Sequence, residues 1–296
     1  MDRTLCGVEL ATMEPLWRVK VVERLLVQRL LRKSARVVEM WERAERDWNQ
    51  TLYQMTAYAM GAPRNSRPFE RLAERVSYLM CLRERGSLVR VEAMLLGASG
   101  LLRGEFFDDY IVRLQEEYDY LAAKYSLRTM NAGEWSRGGN FPAGGPVMRI
   151  AQLAAIVARE EYSVDALLAI RTLSDVERLF DVRAGEYWQK RYTPDGRSAK
   201  GAGHIGREKV NMLAINLVVP MQFAYGEVMH NEDIKAQALD LLEQIPSEHN
   251  RVVARWTGEG VPSGSAYDSQ ALIELSHLCD EGGCSECPLA KQLKKA

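Results

Sequence analysis

The stretch VKVVERLLVQRLLRKSARVVEM, residues 19–40, decides the fold class. Val19, Val22, Leu25, Leu26, Leu30, Val37 and Met40 recur at three- and four-residue steps, with Arg29 on the same stripe and Arg and Glu between. A helix of 3.6 residues per turn presents one face at that spacing, whereas a half-buried strand would alternate every second residue. Such a stripe is buried while the charged face stays in water.

The same period extends along the chain. Asp47 opens a helix through Trp48, Leu52, Tyr53, Met55, Thr56 and Tyr58 that stops at Gly61-Ala62-Pro63. Residues 66–85 and 88–98 predict two more helices, divided by Gly86 and Ser87. Glu105 to Tyr125 is amphipathic through Tyr110, Leu114, Tyr118 and Leu121. Ser174-Asp-Val-Glu177 fits a capping box, and Asn231-Glu232-Asp233 puts a cap and two acids at a helix start. No run alternates long enough to demand a sheet. The expected fold is all-α: about a dozen helices in one or two closely packed sub-domains, ending in a Cys-rich turn. Gly and Pro cluster at 61–68, 133–146, 194–206 and 258–264. The predicted division is therefore 1–132 and 147–296, joined by a linker at 133–146.

Composition sets bounds rather than a function. A net charge of −1 over 296 residues exerts no global pull on nucleic acid or anionic lipid, so any such binding must come from a local patch. The apolar run Met212 to Ala224 is interrupted by Asn216, Pro220 and Gln222, and reads as a buried helix rather than a membrane span. Residues 1–15 lack the apolar core of a secretory signal, and five cysteines cannot all pair. The expectation is a cytoplasmic protein away from membranes.

Several blocks carry a family resemblance. They are Asp47 to Tyr53 (DWNQTLY), Val91 to Leu102 (VEAMLLGASGLL), Asn140-Phe141-Pro142 followed by Met148 to Ala155 (MRIAQLAA), Asn216 to Gly226 (NLVVPMQFAYG), and Asp268 to Leu275 (DSQALIEL). In this order they resemble an uncharacterised bacterial family, domain of unknown function 2851. Longer members of that family carry an additional strand-rich, nuclease-like N-terminal region, which nothing in residues 1–16 resembles. The resemblance thus implies a fragment or a shortened homologue, with any catalytic centre of the longer proteins outside it.

Three features could carry chemistry. The first is His277-Leu278-Cys279 followed by Cys284 and Cys287, a C-x4-C-x2-C spacing that holds three of the five cysteines. Zinc takes four N or S ligands, so these thiolates with His277 make a candidate structural site. Cys6, Cys81, His230 or His249 could supply the fourth ligand instead. The run Cys-x2-Cys-Pro-Leu is also similar to the cluster loop of helix-hairpin-helix DNA glycosylases, which implies an iron–sulfur cluster. Here the first gap is shorter and no further cysteine follows. Reduced cysteines without metal are the bland alternative.

The second feature is the basic loop, with Arg183, Lys190, Arg191, Arg197, Lys200, Arg207 and Lys209 around Tyr187, Trp188 and Tyr192, and His204 close by. Cations interleaved with aromatic rings suit phosphate and stacked bases; a solvated loop whose aromatics pack inward is the competing reading. The third is Arg137, Asn140 and Arg149 around a Gly-rich loop. The favoured reading is a non-catalytic helical module binding nucleic acid or a phosphorylated ligand through the basic loop. An enzyme with its site around 137–149 and 190–207, or an assembly partner without a small-molecule site, are the alternatives.

Overall fold

The computed structural model describes residues 3–136, 138, 143–199 and 203–294, with side chains from Cys6 onward. The protein is all-α. No strand occurs among the described residues, and only two isolated bridges, Arg183 with His204 and Pro246 with Ser265, pair extended backbone.

The deciding stretch lies in one long helix, Pro15–Arg43. Val21, Leu25, Leu26, Leu30, Val37 and Met40 are buried along it, whereas Val19 faces outward. The next helix, Trp48–Gly61, starts where Asp47 predicts: its carboxylate accepts from the Asn49 and Gln50 amides. Residues 66–85 do not form one helix. They split into Ser66–Arg75 and Tyr78–Glu84, because Val76 leaves the helical conformation and the Ser77 side chain caps a new start. Ser174 is not a cap either, since its helix already begins at Leu173. Asn231 does cap Glu232–Gln244, accepting from the Ile234 amide.

Two compact units emerge. One comprises Met1–Val38, Arg171–Leu173 and Val219–Ala296; the other comprises Glu39–Ile170 and Ser174–Val218. Residues 133–136 and 143–146 belong to the second unit. Leu88–Ala98 packs on both Asp109–Tyr125 and Pro146–Val157.

In the second unit, Trp48–Gly61 packs against Ser66–Arg75 and Pro146–Val157. The buried hydroxyls of Thr56 and Tyr162 lie 2.7 Å apart, and Trp135 donates to Ser99 O at 2.8 Å while meeting Phe69 edge-on. In the first unit, Arg251–Gly258 and Glu232–Gln244 both pack on Ala266–Asp280, and Arg3–Thr12 packs on Pro288–Leu293. Arg32 Nη2 reaches the buried Glu274 at 2.6 Å, and Trp256 Nε1 donates to Ser276 Oγ at 2.6 Å. Trp135, Tyr53 and Trp256 are core residues.

The run Arg207–Met229 is helical throughout and is long and apolar enough, by composition, to cross a membrane; 67% of its most apolar window is buried. A π turn at Ala214–Val218 interrupts its regular pitch. Pro220 supplies the cause, since its ring and missing amide disrupt the ladder toward the preceding turn. Asn216 Nδ2 donates to the Met212 carbonyl at 3.1 Å there.

Candidate functional site

The second unit bears an open cleft of roughly 770 Å³ whose lining includes Arg85, Arg159, Arg178 and Arg183, with Glu177 and Asp181 as its acids. The residue after helix Tyr78–Glu84 supplies Arg85, the helix Leu173–Phe180 supplies Glu177 and Arg178, and the extended segment beyond it supplies Asp181 and Arg183. Two of the arginines are engaged. Arg159 donates to the carbonyls of Arg178 and Leu179 at 2.8 and 3.1 Å, satisfying the open end of that helix, and Arg178 pairs with Asp175 at 2.8 Å. Among the described residues, Arg85 and Arg183 form no ion pair.

Two residues of the basic loop border this cleft. His204 Nε2 stands 2.7 Å from Asp181 Oδ1, and the exposed Arg207 lies 3.9 Å from Glu177. Backbone pairing holds them there: Ala184 N donates to Gly203 O at 3.0 Å and Ile205 N to Val182 O at 3.4 Å. Gly203 makes this pairing, with φ +81 and the Trp188 carbonyl closing the space that a side chain would need.

The middle of the loop is spent inward. Buried Glu92 accepts from Gly185 N at 3.1 Å, Trp188 Nε1 at 2.9 Å and the Tyr110 hydroxyl at 2.5 Å. Burial raises the Glu92 carboxyl above its ordinary range against the pull of these donors. Tyr187 stacks on Tyr110 and gives its hydroxyl to Asp108 at 2.6 Å. Arg191 lies over the Tyr187 ring, 3.6 Å from Asp108. Tyr187 and Trp188 are therefore packing residues, whereas Lys190, at the end of the 3-10 turn Glu186–Gln189, and Arg197 are exposed. Arg137, Asn140 and Lys200 lie outside the described residues.

Arg149 and Lys209 form a second, more withdrawn basic pair. Arg149 stands in the first turn of Pro146–Val157, and its guanidinium donates to neutral Gln152 Oε1 at 2.8 Å. Gln152 in turn donates to His204 O at 3.1 Å, tying the third sequence feature to the second. Lys209 Nζ donates to Ala59 O and Met60 O at 2.7 and 3.1 Å, at the carboxyl end of Trp48–Gly61. Burial, then Arg149, pulls its amine down to about 6.

Cys6, Cys279, Cys284 and Cys287 belong to the first unit, and Cys81 to the second. Cys279 lies in the last turn of Ala266–Asp280, Cys284 in the following turn, and buried Cys287 at the start of Pro288–Leu293. All five cysteines are free thiols. Burial pushes Cys6 up to about 11, and Cys279, Cys287 and Cys284 add to that rise, so all three lie within electrostatic reach of it. His277 faces Glu281 at 3.4 Å, one turn along its own helix. Among the described residues, no three His, Cys, Asp or Glu side chains close on one point tightly enough to hold a metal ion as they stand.

Sequence patterns missed Arg85, Arg159 and Arg178. Arg178 sits on a polar helical face that periodicity reads as solvated charge, Arg85 and Arg159 sit just past the ends of their helices, and only the tertiary fold brings them to one cleft.

Residues 2–251 match the family described as "Protein of unknown function (DUF2851)", and the chain belongs to that family. The C-terminal cysteines lie beyond the matched residues. Neither a curated protein nor a solved structure matches the chain.

Proposed function

We propose that this member of the family is a non-catalytic helical module that binds phosphate-bearing polyanions, nucleic acid foremost, in the arginine-lined cleft of its second unit. The observation that carries the reading is the pair Arg85 and Arg183: both line the cleft, and neither is neutralised by a carboxylate among the described residues. Arginine suits such a ligand because its planar fork donates two parallel hydrogen bonds to a phosphate and keeps its charge at any physiological pH. Arg207 and His204 extend the basic rim, and the exposed Lys190 lies on the same loop. With Tyr187 and Trp188 packed inward, recognition runs through the phosphate backbone rather than through base stacking. Five free thiols accord with a reducing, cytoplasmic setting.

Fluorescence anisotropy with a labelled single-stranded oligonucleotide, titrated at several salt concentrations, tests this. Affinity should fall with salt, the logarithmic slope losing about 0.7 for each phosphate contact removed. Replacing Arg85 and Arg183 together by Glu should weaken binding about tenfold or more, near 1.4 kcal/mol. Absence of salt-sensitive binding, or equal affinity in the double variant, overturns the reading.

A further inference from the structure

The C-terminal cysteine spacing gains a partner some 270 residues away in the chain, and this changes what the cysteines can do. Cys6 lies on Arg3–Thr12, the helix that packs on Pro288–Leu293, whose first turn follows Cys287. Cys6 and Cys287 are both buried. Between Cys279 and Cys287 the chain reverses tightly: Gly282 takes φ +70, Gly283 N donates back to Leu278 O at 2.8 Å, and Cys287 N donates to Gly283 O at 3.1 Å. That reversal folds Cys284 and Cys287 back toward the end of the helix that bears Cys279. The four thiols thus share one neighbourhood in which each C-terminal sulfur is felt at Cys6.

We propose that Cys6, Cys279, Cys284 and Cys287 form a four-thiolate metal centre, which ties the N-terminal helix to the C-terminal turn. Cys6 is its fourth ligand; His277, turned toward Glu281, stays outside it. Four thiolates are the donor set of structural zinc and of iron–sulfur clusters alike. Tetrahedral zinc with bonds of about 2.3 Å draws its sulfurs to within about 4 Å of one another. The thiols here do not close so tightly. Metal binding therefore requires the turn at 281–286 to tighten around the ion or cluster. Either centre is structural, because four protein ligands leave no open position for a substrate. Binding releases the thiol protons, including that of Cys6, so occupancy should increase with pH.

The test uses the full chain, expressed with iron and cysteine supplementation and purified without oxygen. Iron, acid-labile sulfide and zinc are measured per chain, and the metal K-edge absorption counts the ligands. Iron with matching sulfide identifies the cluster, and about one zinc per chain identifies the single ion; both support the four-thiolate centre when the edge data give sulfur ligation only. Cys6→Ser should lose most of the metal, whereas His277→Ala should retain it. Should Cys6→Ser fail to fold, the ligand count on the unaltered chain still decides: three sulfurs with one nitrogen overturn the assignment. Protein with neither metal and five titratable thiols, or intramolecular disulfides among the four, overturns it as well.

Discussion

His204 Nε2 lies 2.7 Å from Asp181 Oδ1, and both side chains are nearly half exposed. An ion pair in that setting contributes about 0–1 kcal/mol to stability, so its main consequence is electrostatic. Asp181 and Glu177 are the two carboxylates lining a cleft that holds four arginines. Asp181→Asn removes one of these negative charges and retains a hydrogen-bonding side chain of the same shape. Oligonucleotide affinity should rise about two- to fivefold at low salt, with the gain fading as salt increases. The melting midpoint should hardly move. Weaker binding in this variant would mean that Asp181 orients the cleft rather than opposing its ligand.

Glu92 is the buried acceptor on which the start of the basic loop depends. Glu92→Ala leaves the Gly185 amide, the Trp188 indole and the Tyr110 hydroxyl without their common partner. Unsatisfied buried donors cost about 1–3 kcal/mol each, and some will recover water, so a loss of about 3–5 kcal/mol is expected. Glu92→Gln retains one acceptor oxygen and should lose less. Urea unfolding measures both. Limited proteolysis should also cut Glu92→Ala first within residues 183–209, because the loop loses its anchor before the helices do.

The helical class was legible in residues 19–40 because a 3.6-residue stripe can be buried in only one way, and Asp47 and Asn231 announced their helix starts through local chemistry. The break at Val76-Ser77 was not legible. Each half has helical periodicity, and a two-residue bend leaves no Gly or Pro to mark it. His204 and Arg207 stood out by composition, yet the side chains they face, Asp181 and Glu177, are fixed by the pairing of 182–184 with 203–205. Arg85, Arg159 and Arg178 left no signal, since convergence across some 90 residues of sequence has no period. Cys6 shows the same limit: no spacing rule links it to Cys279.

Gly203 fixes the return of the basic loop. Its φ of +81 lies in the left-handed region, and an added Cβ would stand 3.1 Å from the Trp188 carbonyl oxygen. Gly203→Ala should destabilise the second unit by about 1–2 kcal/mol, combining the backbone preference with the close contact. Hydrogen exchange at the Ala184 amide, which Gly203 O accepts, should accelerate with it. Unchanged exchange there would place the strain elsewhere in the loop.

Lys209 makes a prediction whose sign depends on its protonation. Its amine is pulled down to about 6, by burial first and Arg149 second, and its two contacts of 2.7 and 3.1 Å to carbonyl oxygens match the two N–H groups of a neutral amine. In the unfolded chain a lysine titrates near 10.4. Between these values the unfolded state holds a proton that the folded state has released, so stability rises with pH across that window and the gain is absent below about 6. Relative to Lys209→Met, which cannot titrate, the unaltered protein should gain about 1 kcal/mol per pH unit from about pH 6.5 to 9. Chemical denaturation of both proteins at each pH isolates this slope, since the other titrating groups cancel in the difference. Parallel pH profiles would show that Lys209 keeps its charge when folded, with the carboxyl end of Trp48–Gly61 stabilising the ammonium against burial.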